Sequence, residues 1–201
     1  VALQAGIASD PANMLPKIDY VDHHMSAPRM ADYMGVRIDQ LPEGEYAAVE
    51  NVQISTHNGT HLDAPYHYFS RMNERLVPGG EPSWRIDEVP LEWCYQPGVK
   101  LDFRHLPDGY VTTPADVEAE LKRIGHTLKP LEIVLVNTAA GARYGQDDYL
   151  RRGIGMGREA TLYLTGRGVR VCGIDAWGWD APMASQKAAI ARTGNKALLW
   201  E

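Results

Sequence analysis

Cysteine is scarce in this chain, which excludes a disulfide framework. Cys94 and Cys172 are the only two cysteines among 201 residues, and they lack the spacing of metal-binding or redox motifs. Both are therefore expected to be small core residues of a protein in a reducing compartment. The sequence also lacks an apolar run long enough to span a membrane and the charged-then-apolar start of a signal peptide, so we expect a cytoplasmic protein.

Basic residues are also fewer than acidic residues. Lysine and arginine number 20 against 26 aspartates and glutamates, for a formal net charge of -6 at pH 7. Because the chain also has no basic run, nucleic acid is not an expected partner. The glycine-rich stretch G-I-G-M-G at residues 153–157 matches no nucleotide-binding motif, and the absence of a G-x-S-x-G motif argues against a serine nucleophile.

Length and composition are those of one globular domain. A chain of 201 residues, of which 44% are hydrophobic and 23% charged, buries a core without disulfides. We therefore expect residues 1–201 to form a single domain. Residues 1–17 lack a clear period and contain two prolines, so we expect a surface arm there, and residues 29–44 are expected to form an irregular loop.

Alternating or continuously apolar stretches predict the strands of an α/β fold. They lie near residues 49–55, 98–103, 131–138 and 168–174. The run L-E-I-V-L-V-N-T at residues 131–138 suits a central strand that is covered on both faces, because it is apolar and rich in β-branched residues. We expect the four strands to form the core of one mixed, buried sheet with flanking helices.

Two stretches predict those helices. Thr113 offers a capping hydroxyl, Pro114 suits the first turn, and Asp116 complements the helix dipole. Apolar residues at helical spacing follow until Gly125, which is typical of a helix end. Residues 158–165 predict a second helix.

Titratable side chains concentrate between residues 55 and 69, which read S-T-H-N-G-T-H-L-D-A-P-Y-H-Y-F. This stretch holds three of the seven histidines and one aspartate. In an extended chain, residues an even number apart share a face, so His57, His61, Asp63 and His67 are predicted to lie on one side. Burying unpaired polar groups costs about 1–3 kcal/mol each, which favours a bound metal ion as their partner.

The residues between these side chains favour their convergence. Gly59 allows a tight turn because it has no Cβ, and such a turn brings His57 and His61 to one point. Pro65 holds the residue before it extended and fixes the direction in which the chain leaves the segment. Two imidazoles and one carboxylate suit zinc, manganese or ferrous iron, so the segment is a candidate metal site.

The run H-N-G-T-H-L-D-A-P-Y-H resembles the H-x-G-T-H-x-D-x-P-x-H signature of the cyclase family of metal-dependent hydrolases. That family includes bacterial kynurenine formamidases, isatin hydrolases and a trans-dienelactone hydrolase, and every fixed position of the signature is filled here. The resemblance implies that His57, His61 and Asp63 bind a divalent metal, zinc or manganese, and that His67 is the catalytic acid/base. It also implies a swivelling β/α/β fold and a homodimer or higher homo-oligomer.

Two later stretches resemble other parts of the same family. I-D-E-V-P-L at residues 86–91 resembles the turn after the metal motif, and residues 173–180 resemble a G-x-D-x-x-S-x-D segment, with Gly178 where serine is usual. Family members continue to a histidine and a Glu or Gln that complete their site, whereas no histidine follows His126 here. Residues 197–201 resemble the approach to that histidine, so we expect this domain to lack its C-terminal end.

Candidate substrate-binding residues lie in the second of these stretches. Asp175, Trp177 and Trp179 follow a predicted strand, and a carboxylate beside two tryptophans suits a pocket for an aromatic or cyclic substrate. The residues alone are equally compatible with tryptophans that pack in the core and an aspartate that caps a turn.

These observations predict a hydrolase that cleaves a cyclic or N-acyl amide, or a lactone, of a small aromatic or cyclic substrate. Metal-activated water would attack the carbonyl, and His67 would transfer the proton. Two other interpretations stay open. His61 and Asp63 with a distant histidine, His105 or His126, would form the facial triad of a non-haem iron oxygenase; alternatively, the metal only stabilises a non-catalytic binding domain.

Overall fold

The computed structural model describes residues 16–74 and 76–196. The predicted surface arm at residues 1–17 therefore lies almost entirely outside the described residues, and so does the stretch 197–201. The described chain divides into two compact units, one of residues 16–61 and one that begins at residue 62. The expectation of a single domain stays a prediction.

The first unit contains an antiparallel ribbon, one α-helix and two short 3-10 helices. Strand β1 (Lys17–Val21) pairs with β2 (Val49–Gln53), with Ile18 opposite Val52. Helix α1 (His23–Met34) lies between them in sequence. The strand predicted near residues 49–55 is thus present.

Helix α1 shows that the expectation of an irregular loop at residues 29–44 is wrong for residues 29–34, whereas residues 35–44 contain only two short 3-10 turns, Ile38–Gln40 and Pro42–Gly44. The helix begins after Asp22, whose carboxylate accepts a hydrogen bond from the backbone N–H of Met25 at 2.8 Å. It ends at Gly35 in the left-handed conformation, with φ at 66°. Pro28 lies inside the helix, where a proline removes one backbone hydrogen bond and crowds the preceding turn. The proline therefore argued against a helix here, but the caps at both ends stabilise it.

The second unit contains the other strands and helices of the described chain. In chain order they are β3 (Arg71–Met72), β4 (Glu81–Pro82), α2 (Leu91–Cys94), β5 (Gly98–Asp102), β6 (Val111–Thr112), α3 (Pro114–Ile124), β7 (Ile133–Asn137), β8 (Gly155–Met156), α4 (Arg158–Gly166), β9 (Cys172–Ile174) and α5 (Met183–Thr193). Thr113 caps α3 and Gly125 ends it, as predicted. Helix α4 corresponds to the predicted helix at residues 158–165.

The central sheet of this unit is parallel, with strand order β5-β7-β9. Val99 lies opposite Val134, and Val134 lies opposite Cys172. Two-residue ladders join β6 to β8 in parallel and β3 to β4 in antiparallel orientation. The α/β class with both kinds of pairing is confirmed.

The expectation that all four predicted strands share one sheet is wrong for the described residues. Strand β2 pairs with β1 in a separate ribbon, and only β5, β7 and β9 form the parallel sheet. Strand β9 is also shorter than the predicted stretch at residues 168–174. An apolar pattern predicts that a segment is extended, but it does not specify the segment with which it pairs.

The core lies on one face of the parallel sheet. Alternate strand residues pack there against α3 and α4, and the fully or nearly buried members are Val99, Leu101, Phe103, Val117, Leu121, Val134, Val136, Ile154, Met156, Ala160, Leu164 and Val169. Leu135, between two buried valines of β7, is 49% exposed. The expectation that this strand is covered on both faces is therefore wrong within the described chain.

The glycine-rich stretch at residues 153–157 has a packing explanation. A Cβ on Gly155 would lie 2.1 Å from the backbone nitrogen of Ala181, and a Cβ on Gly157 would lie 2.6 Å from the carbonyl oxygen of Thr112. Both positions therefore allow backbones to approach closely. Across residues 16–74 and 76–196, none of the helices has the length and apolar character needed to cross a membrane.

Candidate metal centre

A tight turn after β2 positions the two histidines of the signature. The backbone N–H of Asn58 donates to the carbonyl oxygen of Ser55 at 3.0 Å, and the Asn58 side-chain oxygen accepts from the Ser55 N–H at 2.9 Å. Gly59 follows in the left-handed conformation, with φ at 69°. These local bonds reverse the chain between His57 and His61, as the glycine predicted.

The reversal brings three potential ligand side chains together. Nδ1 of His57 lies 3.2 Å from Nε2 of His61, and the two rings meet edge to face with centroids 5.0 Å apart. One ligand atom from each of His57, His61 and Asp63 can be chosen so that all lie within 4.8 Å of one another. The predicted convergence of these three residues is therefore present in the structure.

A backbone carbonyl orients His61. Its Nδ1 lies 2.9 Å from the carbonyl oxygen of Gly59, which can only accept a hydrogen bond, so Nδ1 carries the proton in that contact. Nε2, which faces His57, is then the ring nitrogen that can bind a metal ion. A hydrogen bond of this kind fixes the tautomer of a metal-binding histidine.

The spacing of the two histidines fits one divalent ion. Ligand bonds of about 2.0–2.1 Å in tetrahedral geometry place neighbouring nitrogens about 3.3 Å apart, close to the 3.2 Å between the rings of His57 and His61. Two imidazoles and one carboxylate leave a fourth position for water or substrate, as in catalytic rather than structural zinc sites. His57, His61 and Asp63 would therefore hold the ion.

His67 lies beyond the end of the extended stretch. Ala64 is extended, with φ at -88° and ψ at 163°, but Pro65–His67 form a single turn of 3-10 helix. The expectation that one extended face presents all four side chains is thus wrong, because the chain turns at Asn58 and Gly59 and again at Pro65, where proline at the first position favours the turn. His67 is not part of the three-residue ligand group, and its role as catalytic acid/base stays a prediction.

The remaining predicted residues have structural contacts within the second unit. Asp175 accepts hydrogen bonds from the Asn137 side-chain amide at 2.5 Å and from the Thr138 N–H at 2.8 Å. The Trp179 indole donates to the Thr161 hydroxyl at 2.9 Å, and its ring packs against the core. Trp177 is exposed. The substrate pocket that was predicted from Asp175, Trp177 and Trp179 stays a prediction.

The histidines proposed for an oxygenase triad lie elsewhere. Nε2 of His126 is 2.8 Å from a carboxylate oxygen of buried Glu132. Neither His126 nor His105 belongs to the ligand group, and within residues 16–74 and 76–196 no other cluster of three or more potential ligands occurs.

Comparison with known families agrees with this geometry. The model of the family named Cyclase, described as "Putative cyclase", matches residues 9–181, which include the whole ligand group. The chain belongs to the Cyclase family. The resemblance that the histidine motif indicated is therefore confirmed.

Solved structures that match this fold include two isatin hydrolases and a potential metal-dependent hydrolase. An isatin hydrolase bound to the product analogue thioisatinate matches with a TM-score of 0.64 and 18% identity, over 91% of this chain and 66% of that one. Isatin hydrolase A from Labrenzia aggregata, bound to benzyl benzoate, matches with a TM-score of 0.60 and 24% identity, over 88% and 65%. A potential metal-dependent hydrolase with cyclase activity matches with a TM-score of 0.53 and 19% identity, over 94% and 71%.

These likenesses show a shared fold. The chain spans 66% and 65% of the lengths of the two isatin hydrolases. A search of curated proteins found no significant match.

Tyr68, whose ring contacts the ring of His67, is a residue that the sequence analysis did not single out. Partial removal of water by the surrounding protein, and then the negative charges of Asp63 and Asp180, raise the pKa of Tyr68. Its phenol therefore keeps its proton at neutral pH. No sequence motif includes Tyr68, so its place directly after His67 is the only signal in the sequence that could have indicated it.

Proposed function

We propose that this chain carries the metal centre of a hydrolase that opens a cyclic amide of a small aromatic substrate. The observation that carries the proposal is the His57–His61–Asp63 group, within a chain that belongs to the Cyclase family. Isatin, a cyclic amide fused to an aromatic ring, is the first substrate to test, because two of the matching structures are described as isatin hydrolases. N-acyl anilines and lactones contain the same kind of carbonyl.

The proposed metal is zinc or manganese. Both accept two imidazoles and one carboxylate, and the carbonyl of Gly59 orients His61 for either. A divalent ion in such a site supplies a Lewis acid for the carbonyl and lowers the pKa of water from about 15.7 to about 7.

His67 is proposed to move the proton. Its imidazole would accept a proton from the attacking water and pass it to the amide nitrogen as the C–N bond breaks. The products are then a carboxylate and an amine, and no covalent intermediate with the protein is needed. The turn that holds His67 is supported by a hydrogen bond from its backbone N–H to the Ala64 carbonyl oxygen at 2.9 Å.

We propose that residues after β9 give the enzyme its preference for aromatic substrates. Trp177 is exposed, so its ring is available for stacking on a substrate, whereas the indole N–H of Trp179 already donates to Thr161. We also propose that the protein is a homodimer or larger, as the family resemblance implies. Large exposed apolar side chains, including Tyr33, Val49 and Val52, support a protein partner for the first unit.

Elemental analysis of the wild type beside two matched variants tests the metal site. We expect near-stoichiometric zinc or manganese in the wild type and in His105→Ala, and its loss in His61→Ala. His105 is a suitable control because it is another exposed histidine and a candidate ligand of the oxygenase alternative. Loss of metal from both variants, or iron with oxygen consumption, would favour the oxygenase.

Turnover then separates an enzyme from a binding domain. The metal-loaded wild type is expected to open isatin without oxygen, as measured by the loss of isatin absorbance in anaerobic buffer. A protein that binds the metal, gains stability from it and turns over none of the cyclic amides, N-formyl anilines or lactones offered would instead be a metal-stabilised binding domain.

A further inference from the structure

Tyr68 combines an exposed ring with a hydroxyl that the protein does not use. Its side chain is 58% exposed, and its phenol makes no hydrogen bond within the described residues. A tyrosine offers an apolar ring face and one strong hydrogen-bond donor on a side chain with few rotatable bonds. It is therefore well suited to contact an aromatic substrate that carries a carbonyl group.

The backbone around Tyr68 is held in place. The N–H of Tyr68 donates to the carbonyl oxygen of Pro65 at 3.1 Å, which continues the turn that ends at His67. The N–H of Tyr66 donates to the carbonyl oxygen of Trp84 at 3.0 Å, which ties the same turn to a neighbouring segment. The ring thus projects from a fixed backbone.

His67 of the proposed active site contacts this ring, and two carboxylates act on its phenol. The His67 and Tyr68 rings meet at an angle of 75°, with centroids 4.9 Å apart. The carboxylates of Asp63 and Asp180 are close enough to act electrostatically on the phenol. Tyr68 therefore lies beside the proposed acid/base and within electrostatic range of a proposed metal ligand.

We propose that Tyr68 is a further catalytic residue, whose hydroxyl donates a hydrogen bond to the oxygen of the scissile carbonyl. This inference rests on the proposed function of the site. Negative charge develops on that oxygen when water adds to the carbonyl, and a donor aimed at it stabilises the transition state. After ring opening the same oxygen belongs to the product carboxylate, so Tyr68 also binds the product.

The neighbouring Tyr66 provides a matched control. It lies in the same turn and is 53% exposed, close to the 58% of Tyr68. Its ring, however, packs against the Arg85 guanidinium, 5.3 Å from the ring centroid. Tyr66→Phe therefore removes one hydroxyl from an equally exposed tyrosine that has a different environment.

The experiment measures steady-state hydrolysis of isatin by the metal-loaded wild type, Tyr68→Phe and Tyr66→Phe. Tyr68→Phe is expected to lower kcat on the order of tenfold to a hundredfold, the effect of losing one such donor at an exposed site. Metal content and urea stability should not change. Tyr66→Phe should retain the kcat of the wild type to within about twofold.

Equilibrium binding gives a second readout that does not depend on turnover. Isothermal titration of isatinate, the ring-opened product, should show affinity about fivefold weaker for Tyr68→Phe than for Tyr66→Phe, as expected for the loss of one hydrogen bond. If both variants match the wild type in kcat and isatinate affinity, or both fall equally, the role of Tyr68 is overturned. A wild type that neither opens isatin nor binds isatinate would overturn the proposed function itself, and the inference with it.

Discussion

Replacing Asp175 with alanine tests whether this carboxylate holds the ends of two parallel strands together. Asp175 follows β9, and its two oxygens accept from the Asn137 side chain at 2.5 Å and the Thr138 N–H at 2.8 Å. Both donors lie at the end of β7. The packing is tight, because a Cβ on Gly141 would lie 2.2 Å from the Asp175 carboxylate.

The expected loss in the free energy of unfolding follows from these two hydrogen bonds. A hydrogen bond to a charged group contributes about 1.5–3 kcal/mol, so two bonds set an upper limit of about 3–6 kcal/mol. Asp175 is only partly buried, and water can replace part of the loss. We therefore expect Asp175→Ala to lower the free energy of unfolding by about 2–4 kcal/mol. Asp175→Asn keeps one carbonyl oxygen as an acceptor, so it should lose less.

Urea denaturation followed by circular dichroism measures this loss. Asp147→Ala is the matched control, because Asp147 is exposed and makes no hydrogen bond within the described residues; it should change stability by less than about 0.5 kcal/mol. If Asp175→Ala changes the free energy of unfolding as little as Asp147→Ala does but raises KM for isatin, the structural role of Asp175 is refuted. Asp175 would then belong to the substrate pocket that the sequence predicted.

Two further predictions concern other buried groups. The Ser83 hydroxyl is buried without a hydrogen-bond partner in the described chain, so Ser83→Ala should raise stability by about 1 kcal/mol; a lower thermal midpoint would contradict this. Glu120, 4% exposed, accepts from Arg123 and from the Asp102 N–H, so Glu120→Gln should cost about 1–3 kcal/mol at pH 7. Arg123 holds the pKa of Glu120 below its usual value of about 4.5. This contribution is therefore fully present above pH 4.5 and lost as the pH falls through the lowered pKa. The urea stabilities of wild type and Glu120→Gln should converge in that acidic range, and a constant difference would disprove the assignment.

Features set by neighbouring residues could be predicted from the sequence alone. The ligand group depends on a turn of a few residues in which Gly59 adopts φ of 69°, and its ligands lie within one seven-residue segment. Helix α3 likewise begins at the Thr113 cap and ends at Gly125. In each case the interactions that decide the conformation join residues close in sequence, so the pattern of residue types contains the needed information.

Features set by contacts between distant residues could not be predicted from the sequence. The pairing of β2 with β1 rather than with the parallel strands, and the exposure of Leu135 on the open face of β7, depend on which segments meet in space. The partners of Asp175 lie 37 and 38 residues earlier, and the Asp180 carboxylate that acts on Tyr68 lies far along the chain. The amino-acid sequence by itself determined the turn of the candidate metal site and the helix caps, because their hydrogen bonds are local. Only the tertiary structure decided the strand partners and the surroundings of Asp175 and Tyr68, because those contacts join residues that no local pattern relates.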